Sequence, residues 1–126
     1  MSYRHAAIWI DHHEARIFHI DHESPDAVTV RAPQHHLRRH PVITAEKRHP
    51  EDANHFYHEV AKAVEGAEAI VVVGPAAAKL EFIKHASRHD PAVAANIVGV
   101  ETVDHPTDGQ LLKYIRAYFQ TPHPAP

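Results

Sequence analysis

The chain is expected to fold as one α/β domain: a five-stranded mixed sheet, a three-stranded antiparallel meander followed by α-β-α-β-α, with helices on both faces. Three observations predict this. Three short apolar-rich segments before residue 32 are separated only by brief polar turns. After residue 50 the pattern changes to alternating helix-like and strand-like segments. Consecutive β-α-β units demand right-handed crossovers and parallel pairing, so the meander becomes the antiparallel side of a single sheet.

Each element has a local reason. Arg4–Ile10 is apolar and ends at the polar turn Asp11-His12-His13. Glu14–Ile20 partly alternates, with Ala15 and Ile17 on one side and Phe18 and Ile20 on the other, as a paired strand does. A turn containing Pro25 leads to Ala27–Arg31, where Val28 and Val30 flank Thr29. Pro50-Glu51-Asp52 suits a helix start, since proline is tolerated in the first turn and carboxylates face the positive end of the dipole. That helix is expected to run to about Glu65, with Phe56, Val60, Ala63 and Val64 inward, and to stop at Gly66. Ala69–Val73 is almost purely apolar, the pattern of a central parallel strand. Gly74-Pro75 turns the chain into a helix over Ala76–His89, with Ala76, Leu80 and Ile83 expected inward. Asn96–Val103 reads as the fifth strand and Gln110–Phe119 as the last helix, with the loop Asp104–Gly109 between them.

Composition excludes several classes. A chain of 126 residues holds one core-bearing domain, expected over residues 1–120, and the tail 121–126 carries three prolines and is expected to fray. Cysteine is absent, which removes disulfides, thiol catalysis and cysteine-ligated zinc. The longest apolar run, Ala67–Ala78, is broken by Glu68, Gly74 and Pro75 and falls short of the ~20 residues of a membrane span. The start lacks a signal-peptide layout, so a cytoplasmic protein without membrane partners is expected. Net charge is −3 with neutral histidines, but fifteen histidines make the surface charge depend on pH.

The basic character is local. Arg31–His49 holds five Arg or Lys against one Glu, a net +4 (five minus one), plus four histidines. Its candidate nucleic-acid-binding residues are Arg31, Gln34, His35, His36, Arg38, Arg39, His40, Lys47, Arg48 and His49. Guanidinium forks match phosphate geometry, and imidazoles add charge and stacking surface. The bland alternative is a solvated loop.

Three stretches carry a family resemblance. Residues 6–20 (AAIWIDHHEARIFHI), 69–91 (AIVVVGPAAAKLEFIKHASRHDP) and 100–115 (VETVDHPTDGQLLKYI) are similar to the central domain of the class-1 peptide-chain release factors of archaea and eukaryotes and of Pelota. The resemblance implies a ribonuclease-H-like fold and a stand-alone bacterial relative of that domain, of the translational-machinery-component type. It also implies a ribosome or tRNA partner. In the release factors the loop after the third strand carries Gly-Gly-Gln. Here that loop is Arg31–His49; Gln34 is its only glutamine, and the first glycine of the chain is Gly66. Adjacent glycines reach backbone angles other residues resist, so their absence argues against ester hydrolysis. Pelota lacks the triplet too. Ribonucleases of this fold hold two Mg²⁺ on carboxylates that include one at the end of the fourth strand. Asp11, with Glu51 or Glu59, could fill two of the places, but the fourth strand ends Val73-Gly74-Pro75.

Other clusters have modest readings. His35, His36 and His40, or Glu81, His85 and His89 at four-residue spacing, could ligate Zn²⁺ or Ni²⁺; His55 and His58 form a similar pair. Such spacings arise readily in a histidine-rich chain, so no metal or other cofactor is expected. Asp11-His12-His13-Glu14 reads as a polar hairpin turn rather than an acid-base cluster. Ser2, Ser24 and Ser87 lack a nucleophile-elbow setting. Gly74-Pro75-Ala76 reads as structural punctuation rather than an anion site, and Thr107 or Asp108 as a helix cap. The sequence thus favours a non-enzymatic translation accessory acting through the basic loop. The alternatives are a hydrolase of peptidyl-tRNA or another ester, and an interaction module or homodimer.

Overall fold

The computed structural model describes residues 5–20, 26–32, 50–75 and 77–120. The strands are β1 (His5–Ile10), β2 (Glu14–His19), β3 (Asp26–Arg31), β4 (Ala69–Gly74) and β5 (Ile97–Thr102). The helices are α1 (Pro50–Ala63), α2 (Ala78–His89), α3 (Pro91–Ala95) and α4 (Asp108–Gln120). The strands form one sheet in the order β3-β2-β1-β4-β5. β1–β2 and β2–β3 are antiparallel, as the meander requires, while β1–β4 and β4–β5 are parallel. The expected five-stranded mixed sheet is therefore present.

Two apolar layers cover it. Ala6, Ile8, Ile10, Ala15, Ile17, Ile70 and Val72 face α1 and α2. Ala7, Trp9, Phe18, Val71 and Val73 face Leu111 and Ile115 of α4. β1 and β4 are buried on both sides, which is why their sequences are continuously apolar. The expected split of β2 holds, with Ala15 and Ile17 in one layer and Phe18 and Ile20 in the other.

Two glycines have steric reasons. Gly66 ends the turn after α1 at φ 92°, a left-handed angle that disfavours side chains. Gly74 lies against β1 so closely that a methyl group there would collide with the Ile10 carbonyl oxygen. Gly74 is therefore punctuation imposed by strand packing. The last helix has its cap: the Thr107 hydroxyl accepts from the Gln110 amide at 3.1 Å, and the Gln110 side-chain oxygen accepts from the Thr107 amide at 3.0 Å. This reciprocal pair satisfies two otherwise orphaned donors.

Two expectations need correction. The inward face of α2 is Ala78, Lys79, Phe82, His85 and Ala86. Leu80 points to solvent and Ile83 is only partly buried. The buried i, i+4 row of Ala78, Phe82 and Ala86 sets the phase, and Leu80 falls nearly opposite it. The second correction is α3, which precedes β5 and went unread. Pro91 occupies its first turn and Asp90 precedes it. This is a favourable start for a helix of only five residues.

The carboxyl edge of the sheet as candidate functional site

Strand directions gather the polar candidates on one edge. β1, β4 and β5 all end there, β2 begins there, and β3 returns there with Arg31 opposite Glu14. The Ala32 amide donates to the His13 carbonyl at 2.9 Å, so the basic segment leaves the sheet beside the β1–β2 turn. α1 runs back to the opposite edge, where the His19 ring nitrogen donates to the Ala63 carbonyl at 2.9 Å. Both flanks of the segment thus belong to the edge where open α/β sheets commonly bind ligands.

Of the ten candidate binding residues, Arg31 is described. It is exposed, and its guanidinium lies 3.4 Å from Glu14 Oε1. An exposed pair of this kind contributes ~0–1 kcal/mol and leaves Arg31 available to another anion. Gln34, His35, His36, Arg38, Arg39, His40, Lys47, Arg48 and His49 lie outside the described residues.

The rim is built by the hairpin. The Asp11 side chain accepts from the His13 and Glu14 amides at 2.8 and 2.9 Å, closing the turn as expected. This turn places Trp9 opposite Arg16. Arg16 lies over the Trp9 ring, 4.3 Å from its centroid. It also donates to the Pro106 carbonyl at 2.9 Å and to Asp108 at 2.8 Å. The Trp9 indole donates to the Asp104 carbonyl at 2.8 Å. Trp9 and Arg16 therefore clamp the loop after β5 onto the hairpin. Neither was singled out from sequence, although a turn centred on His12-His13 already pairs residue 9 with residue 16.

The clamp puts His105 3.4 Å from Asp11 and 3.0 Å from Asp104. The hydrogen bond to Asp104 raises the His105 pKa above 6.5, and the bond to Asp11 adds to the rise. Burial pushes the Asp11 carboxyl up, but hydrogen bonds from His13, Glu14 and His105 outweigh it and leave it below 3.8. His105 thus favours its charged form, and the stability it lends is present below pH 6.5 and lost as pH rises through its folded value. The Asp11 contribution is present above its unfolded value near 3.8 and lost as pH falls through the folded one. By NMR titration His105 is expected to ionise above 6.5, with Asp104→Asn removing most of the rise. A value at or below 6.5 in the unaltered chain would contradict this arrangement.

A second link continues the rim. His12 lies 3.4 Å from one Glu81 oxygen, and the Tyr57 hydroxyl donates to the other at 2.9 Å. Glu81 therefore does not sit with the two histidines that follow it at four-residue steps. His85 and His89 stack ring against ring, with centroids 4.6 Å apart. His55 faces Glu59 at 3.8 Å, whereas His58 faces Asp90 at 3.5 Å. Beside the rim, the loop after β5 and Gln110, Leu111 and Tyr114 of α4 enclose an open cleft of about 310 Å³. The rim offers paired acids and imidazoles.

No protein-family model matches the chain, and no curated protein matches it in sequence. Solved structures do match. Pelota from Archaeoglobus fulgidus superposes with a TM-score of 0.62 at 16% identity, over 93% of this chain and 32% of that one. The archaeal translation termination factor aRF1 gives 0.64 at 17% identity, over 94% of this chain and 34% of that one. The fold is shared with Pelota and aRF1. Dom34 of S. cerevisiae, described as a translation termination-like factor involved in RNA quality control, gives 0.52 at 10% identity over 91% of this chain and 36% of its own. The chain thus spans about a third of the length of each of these proteins.

Proposed function

We propose that this protein is a non-enzymatic translation-associated factor that contacts ribosomal RNA or tRNA through Arg31–His49. The observation that carries this reading is positional. The fold is shared with Pelota and with a translation termination factor over more than nine-tenths of the chain, and the strongest local positive charge springs from the carboxyl edge of that fold. The strand order also supports the ribonuclease-H-like reading. Arg38, Arg39, Lys47 and Arg48 take phosphates, and His35, His36, His40 and His49 add charge as pH falls. Gln34 travels with the segment without the glycines that would pose it for hydrolysis. Ribosome co-sedimentation tests the proposal: the chain pellets with ribosomes at low salt, and Arg38→Ala with Arg39→Ala releases it. Undiminished pelleting of the double variant refutes the docking role.

One observation favours the interaction-module alternative. β5 is the outermost strand on its side among the described residues, and Val98 and Val100 are 49% and 40% exposed on it. An open apolar edge can pair with the same edge of a second copy. Sedimentation velocity separates the readings. A homodimer gives a concentration-dependent mass that Val98→Lys abolishes, whereas the RNA-docking protein stays monomeric in the absence of RNA.

A further inference from the structure

Three residues from different parts of the chain meet away from the rim. His58 lies on α1, His85 on α2, and Asp90 at the junction of α2 and α3. His58 Nδ1 is 3.5 Å and His85 Nε2 is 3.7 Å from the same Asp90 oxygen, Oδ2. One ligand atom from each residue falls within 4.8 Å of the other two. We propose that His58, His85 and Asp90 form a Zn²⁺ site that clips α1 to the end of α2.

The spacing fits the ion. Tetrahedral zinc with bonds of about 2.0–2.1 Å separates its ligands by roughly 3.4 Å. The two distances to Asp90 are close to that edge length, and the two imidazole ligand atoms lie within 4.8 Å of each other, so an ion would draw the rings together.

Hydrogen bonding supplies an independent observation. His85 is only 8% exposed, yet neither of its ring nitrogens has a hydrogen-bond partner. Asp90 Oδ2 is likewise buried without one. Unpaired buried polar atoms are costly and rare, and three of them here belong to two touching side chains. One cation bonded to His85 Nε2 and Asp90 Oδ2 satisfies two of the three at once. His58 is half exposed and gives the ion a route from solvent, and the fourth position is open to water. Two imidazoles and one carboxylate suit Zn²⁺, whereas Mg²⁺ and Ca²⁺ prefer all-oxygen shells. The site is independent of the translation reading, because it uses none of the basic segment.

Histidine abundance makes the controls decisive. The full chain, stripped with a chelator, is titrated with Zn²⁺ against a chromophoric competitor. One equivalent is expected to bind more tightly than the rest. His58→Gln, at an exposed position where folding is safe, and Asp90→Asn are each expected to weaken it by more than ~10-fold. His55→Gln, and joint replacement of His35, His36 and His40 by Gln, are expected to leave it unchanged. Co²⁺ substituted for Zn²⁺ is expected to give a visible absorption band that His58→Gln abolishes. The proposal is overturned if no equivalent stands out, if His58→Gln and Asp90→Asn retain it, or if the triple replacement removes it.

Discussion

Phe82→Ala is expected to destabilise the protein by ~3–5 kcal/mol, whereas Leu80→Ala changes stability by less than about 0.5 kcal/mol. Phe82 is fully buried against the sheet, between Ala78 and Ala86 on the inner row of α2. Removing its ring leaves a cavity that the paired strands cannot collapse to fill. Leu80, two residues earlier, is 59% exposed. Both substitutions remove a large apolar side chain and install an excellent helix former, so propensity does not separate them. Urea denaturation checks the contrast, with equal slopes and a midpoint lowered only for Phe82→Ala. Equal effects of the two would mean that α2 is rotated from the phase described.

Raising salt from 50 to 200 mM is expected to weaken RNA binding about 50-fold. This follows if Arg38, Arg39, Lys47 and Arg48 each neutralise one phosphate of a single strand. Four contacts give a slope of roughly −2.8 in log K against log salt, and a fourfold rise in salt then costs about 1.7 decades. Arg38→Ala with Arg39→Ala leaves two contacts and a slope of about −1.4. Lower pH is expected to strengthen binding, because His35, His36, His40 and His49 become cations when protonated. A salt-independent interaction, or one with the same slope in the double variant, would show that these cations do not meet phosphate.

Legibility of the site followed the range of the interactions. The Asp11 turn and the Thr107 cap were readable because donor and acceptor lie within three residues of each other. The clamp of Trp9 and Arg16 on the loop after β5 joins residues ninety or more positions apart, and no local pattern announces it. His105 beside Asp11 depends on that clamp. The i, i+4 rule correctly put His85 and His89 side by side, but it could not show that Glu81 turns to Tyr57 and His12. Nor could it bring His58 and Asp90 to His85, since that requires α1 and α2 to pack.

From composition and periodicity alone came the helices and strands, save α3, together with the parallel and antiparallel halves and the position of the charged segment. These rest on period, on turn chemistry and on the handedness of crossovers, all of which act within a few tens of residues. The inward face of α2, the clamp across the carboxyl edge and the meeting of His58, His85 and Asp90 were decided only by the assembled sheet. Their physical reason is shared: rotating a helix by one residue costs little locally, and only the shape of the opposing layer chooses which side chains it buries.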